Sequence, residues 1–162
     1  MASLIEELIG TLQQQKNHYE ELLILTEEKS KVVKENNIIV LQQITSAETI
    51  IVGKNQKLDT KREGIVKNIG IVLNYSPEDL TLTKIVELIS DAGEKEQILT
   101  LRDELKEILE ALKVKNSENQ ALIETSLDHI EFTVNLLRSQ GATGLSADGT
   151  LENNKNMFDA RG

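Results

Sequence analysis

Cysteine is absent from this chain of 162 residues, tryptophan is absent, proline occurs once and aromatic residues make up 2%. Each shortage excludes something. Without cysteine there are no disulfides, thiolate metal sites or cysteine nucleophiles. Without aromatics the buried area has to come from Leu, Ile and Val. With one proline, Pro77, long stretches run free of the residue that breaks helices. Long hydrophobic runs are missing too: Ile38-Ile39-Val40-Leu41 is among the longest, whereas a membrane span needs about 20 apolar residues. Met1 to Gly10 carries no basic residue ahead of its apolar positions, so no signal peptide is expected there.

Positive charge is also short. Eighteen Lys and Arg stand against 27 Asp and Glu, a net charge of -9. Nucleic-acid binding draws on cations that displace counterions from phosphate, and anionic membranes repel an acidic surface. A protein partner in the cytoplasm is the expectation.

What is present is helical periodicity. Ser3 followed by Glu6 reads as a capping box. From there Leu4, Leu8, Leu12, Gln15, Tyr19, Leu22, Thr26, Lys29 and Val33 recur at spacings of three and four, which predicts a helix over about 3–35. Asn36-Asn37 breaks it, since asparagine favours turns and helix ends. A second stripe runs through Leu41, Ile44, Glu48, Ile51, Asn55, Leu58, Arg62, Ile65, Ile69 and Val72, predicting a helix over about 38–73. Its polar members either fix the helix register or turn outward. Gly53, Gly64 and Gly70 lie inside it, and each costs about 1 kcal/mol relative to alanine.

Asn74 to Asp79 punctuates the chain around Pro77. A short helix over about 80–90 follows, ended by Asp91-Ala92-Gly93, and a long one over about 94–139. The long helix carries Ile98, Leu101, Leu105, Ile108 and Leu112, then Ile123, Leu127, Ile130, Val134 and Leu137, shifted by one residue in phase. The polar stretch Lys113 to Gln120 between them predicts a bend or a frayed turn. The fold class is therefore all-α. A long antiparallel hairpin, a short helix and a long last helix form one bundle domain over 1–140, followed by a flexible tail over 141–162. The heptads also allow a coiled coil between chains, and with it a scaffold that oligomerises, although the short Asn36-Asn37 connection favours the hairpin.

No catalytic or metal constellation emerges. His18 and His129 lack a histidine four residues away, and Gln15 and Ser126 stand where a di-iron helix would need Glu. Both histidines read as solvated helix-face residues. The glycines fall inside a heptad pattern, not at a strand-to-helix phosphate turn. Paired carboxylates such as Glu20-Glu21 on exposed helix faces supply solvation, not acid–base catalysis. The chain reads as a binding protein without cofactor or enzymatic activity.

Three pieces together resemble the FlgN-type flagellar export chaperone family. Glu48 and the Leu58 to Arg62 segment sit in the hairpin like the family's Glu and Arg positions. The run Asn119 to Ile130 is close to the family's Asn-x-x-Leu-Leu followed by a Ser-Leu pair. The end carries Asp148-Gly149 and a closing Met157-Phe158-Asp159-Ala160-Arg161. The resemblance implies a cytoplasmic chaperone that binds the C-terminal helices of hook-associated flagellar proteins before type III secretion. An amphipathic helix would do this through anchors at helical spacing. The candidate partner-binding residues are Ile123, Leu127, Ile130, Phe132, Val134 and Leu137, with Leu145, Met157 and Phe158 as adaptable contacts. The same helix residues could instead belong to the protein's own core. Relatives often carry tyrosine after the threonine matching Thr143. Here that position is Gly144, so docking on the export gate is not carried over to any residue.

Overall fold

The computed structural model describes residues 1–139. Those residues form four α-helices and one 3₁₀ turn, with no strand among them: α1 Ala2–Lys34, α2 Ile38–Leu73, the turn Pro77–Asp79, α3 Leu82–Leu88 and α4 Ala92–Ser139. The expected tail over 141–162, with Leu145, Met157 and Phe158, lies outside the described residues.

The helix ends follow from local chemistry. Asn36 closes α1 at φ 55° and Asn74 closes α2 at φ 59°, left-handed positions that asparagine tolerates better than most residues. At both ends the residue after the asparagine donates its backbone N–H five residues back, Asn37 to Val32 O and Tyr75 to Gly70 O. That bond, with the left-handed residue, is the Schellman closure. Asn37 then starts α2, its side-chain oxygen accepting from the Val40 N–H. Thr81 caps α3 by accepting from the Lys84 N–H. Asp91 accepts from the Glu94 N–H and so opens α4 rather than ending the helix before it. The expected Ser3 cap is not used. The helix already begins at Ala2, with the Ile5 N–H bonded to Met1 O, so Ser3 stands inside the first turn.

The described residues gather into two compact units, Met1–Ile24 with Ala47–Leu112, and Leu25–Ser46 with α4 from Lys113 onward. The first has the larger apolar core. Ile5, Leu8 and Leu12 of α1 meet Ile65 and Ile69 of α2, Leu80, Ile85 and Ile89 around α3, and Ile98, Leu101 and Leu105 of α4. A polar layer crosses this unit. The Arg62 guanidinium donates to Gln15 Oε1 at 2.8 Å, and the Gln15 amide donates to Asp59 at 2.6 Å. Arg62 also pairs with Asp59 at 3.3 Å. Arg62, a polar member of the α2 seam, thus faces inward and ties α2 to α1. Such a bonded layer favours one register, because sliding by a turn would strand its members.

Asn55 is a second inward seam residue, only 4% exposed, and neither side-chain polar atom has a hydrogen-bond partner. An unsatisfied buried amide costs about 1–3 kcal/mol. Asn55→Leu is therefore expected to raise stability by about that amount, a few degrees in Tm for a chain of this size. A thermal melt that falls instead would show that the amide makes a needed bond.

Alkaline titration gives another expectation. Burial pushes the Tyr19 phenol above its ordinary value, helped by the Asp59 carboxylate and opposed by Arg62. The Lys16 ammonium is also raised, first by its hydrogen bond to Glu104 at 2.5 Å, with burial opposing. Both groups hold their protons more tightly when folded. Their contribution is complete below the ordinary values of about 10 and 10.4 and is lost as pH rises through the raised ones. The melting temperature should fall above about pH 10, and Tyr19→Phe should flatten part of that fall. An equally steep fall in the variant would remove Tyr19 from the account.

The second unit has a smaller core. Val32 and Val33 of α1, Leu41 and Ile44 of α2, and Ile123 of α4 are buried together, with Leu25, Ile38, Val40 and Leu122 around them. Here the expectation of a frayed turn fails, since α4 continues through Lys113 to Gln120 without a break. The reason is Asn119, only 2% exposed. Its amide donates to Thr26 O at 2.9 Å, and its Oδ1 accepts from the Ser30 hydroxyl. A polar residue thus occupies a core position, bonded on both sides, where sequence reading saw only a polar run.

Candidate partner-binding surface

Helical geometry divides the candidate residues of α4 into two faces. At 100° per residue, Ile123, Leu127, Ile130, Val134 and Leu137 share one stripe, whereas Phe132 points to the opposite side. The two sets cannot present one continuous surface on a single straight helix.

Burial separates them further. Ile123 is 3% exposed and packs in the core of the second unit. The α1–α2 tip supplies an apolar seat for it. Val134 is half-buried and Leu137 is 49% exposed. Phe132, at 66%, is the most exposed of the set. The side chains of Leu127 and Ile130, and the whole of Leu145, Met157 and Phe158, lie outside what the structure describes. Leu136, 47% exposed, was missed. It stands one turn beyond Phe132, so the two can form an i,i+4 apolar pair on the outer face. The available signal was that four-residue spacing. Leu136 itself falls off the heptad stripe.

The end of α4 therefore carries solvent-facing apolar side chains on two sides, flanked by charged residues such as Asp128 and Arg138. Apolar groups concentrated on an otherwise polar helix are a common mark of a protein-binding element. Among the described residues, no group of His, Asp and Glu could hold a metal ion, and no helix is long and apolar enough to cross a membrane. His18 departs from the expected solvated position. It is half-buried, with Nδ1 shielded from solvent and without a hydrogen-bond partner. The His129 side chain lies outside the described residues.

The described residues define an all-helical protein. The FlgN protein family matches residues 1–152, and the chain belongs to that family. The family is one of flagellar export chaperones, not of enzymes. No curated protein and no solved structure matches the chain.

Proposed function

We propose that the chain escorts hook-associated flagellar proteins in the cytoplasm, holding their C-terminal helices until type III export so that they do not assemble early. The observation that carries this reading is the apolar end of α4, where Phe132, Leu136 and Leu137 face solvent. An amphipathic partner helix would lay its apolar side against such anchors. Leu127 and Ile130 extend the Val134 and Leu137 stripe by register, and Leu145, Met157 and Phe158 add contacts beyond it. Docking on the export apparatus is not assigned to any residue, given Gly144.

The test is calorimetric titration with purified hook-associated proteins. Leu127→Asp with Ile130→Asp should weaken binding at least about tenfold, the equivalent of 1.4 kcal/mol. Phe132→Asp, at an exposed site that leaves folding intact, reports the opposite face separately. A folded stripe variant that binds as tightly as the native chain removes the stripe from the interface. Absence of any complex with the native chain removes the reading itself.

A further inference from the structure

Lys54, Lys57 and Lys61 form an exposed row on α2, with Ile50 before them and Gly64 and Ile71 after, all exposed as well. Together with Asn68 these residues alternate at spacings of four and three. At 100° per residue that alternation keeps them on one face of the helix, over about 31 Å of its length. The isoleucines at the two ends, Ile50 and Ile71, are 62% and 72% exposed. Above Gly64 the space is open, with nothing within 4 Å of an added Cβ.

The charge of this face runs against the charge of the chain. Ile50 to Ile71 holds five Lys and Arg and two acidic residues, whereas the whole chain holds 18 and 27. Neither acidic residue stands in the row. Asp59 is turned to the layer with Gln15 and Arg62, and Glu63 lies about 100° around the helix from Gly64. Elsewhere lysines are matched, Lys16 with Glu20 and Glu104, Lys84 with Glu87, and Lys115 with Glu118. Among the described residues no ion pair joins Lys54, Lys57 or Lys61 to a carboxylate. Like charges three and four residues apart oppose a helix, a local cost that opposite charge from outside would remove.

We propose that this face of α2 docks an acidic helix of a partner protein. The partner's apolar residues sit against Ile50 and Ile71 at the two ends, and its Asp and Glu side chains lie over the lysines between them. Gly64 lets the two backbones approach closely. The order of residues along the row disfavours other occupants. A second copy packed α2 against α2 would set lysine against lysine. An amphipathic helix that lies on a membrane keeps its lysines on the face opposite its apolar residues, whereas here both share one line. Nucleic acid has no use for the terminal isoleucines, and a chain of net charge -9 repels it. The face lies on a different helix from the surface proposed at the end of α4, and the inference stands independently of the chaperone reading.

The full-length chain is titrated with two designed helical peptides. Both carry leucines spaced as Ile50 and Ile71 are, one with Glu between them and the other with Lys. The Glu peptide should bind and the Lys peptide should not. Lys57→Glu with Lys61→Glu should weaken the Glu peptide at least about tenfold and bring in the Lys peptide. Ile50→Ser with Ile71→Ser should weaken the Glu peptide several-fold. All four positions are exposed, and circular dichroism checks that each variant keeps its helices. Equal affinity of the native chain and the lysine variant for the Glu peptide overturns the proposal, as does failure of the native chain to bind that peptide. Undiminished binding by the isoleucine variant also overturns it, because a row of bare charge would serve any polyanion. Duplex DNA and phosphatidylserine vesicles are the remaining arms. Lysine-dependent binding of either, tighter than that of the Glu peptide, assigns the face to phosphate and overturns the protein partner.

Discussion

Ile98→Ala should lower the unfolding free energy by about 2–5 kcal/mol, the usual range for removing a fully buried isoleucine side chain. Ile98 is 0% exposed and sits where α4 enters the core of the first unit, among Ile85, Ile89 and Leu101. Truncation leaves a void that close-packed neighbours fill only in part, so lost transfer free energy and lost contacts add. Against a total stability of order 5–15 kcal/mol, that is a large fraction. Urea unfolding should show a lower midpoint with an unchanged slope, since the area exposed on unfolding changes little. Ile39→Ala is the matched control. It removes the same atoms from a side chain that is 70% exposed, and should change stability by no more than about 0.5 kcal/mol. Comparable losses at both positions would mean that α4 is not anchored through this core.

Gly70→Ala should destabilise, although alanine is by itself the better helix former by about 1 kcal/mol. A Cβ at Gly70 would lie 2.6 Å from Tyr75 O and 3.4 Å from Leu80 Cδ1. The carbonyl cannot turn away cheaply, because Asn74 and Tyr75 close α2 back onto Gly70 itself. Forcing atoms into a filled site costs about 1–3 kcal/mol, enough to reverse the propensity gain. Gly10 and Gly64 are exposed helix positions with nothing within 4 Å of an added Cβ. Alanine there should stabilise by up to about 1 kcal/mol each. The three melts together test the distinction. A stabilising Gly70→Ala would show that the turn at Tyr75 yields.

Much of the helical plan was legible from spacing. Leu8, Leu12, Val33, Leu41, Ile44, Ile65, Ile69, Ile98, Leu101 and Leu105 are buried members of the stripes read from sequence, because an amphipathic helix has to turn its apolar stripe away from water. Asn36-Asn37 ends a helix in the sequence and in the structure, for a reason local to asparagine. The misses share a different cause. Val72 belongs to the α2 stripe yet is 56% exposed, since the helix ends one residue later. Asn119 lies in a polar run yet is buried. A polar side chain is buried when a partner on another helix meets it, and no periodicity along one helix records that partner.

The sequence by itself determined the helices, their main turns and their inward stripes, since these depend on residues three, four or five positions apart. Its order of motifs also carried the family. Only the tertiary structure decided that Ile123 is buried and Phe132 exposed, that Asn119 is a bonded core residue, and that Gly70 alone among the α2 glycines meets a backbone carbonyl. Each of those outcomes depends on which atoms the folded chain brings alongside. The apolar residues at the end of α4 were therefore readable as a stretch of sequence, but which of them face solvent, and the seat that Ile123 fills, were not.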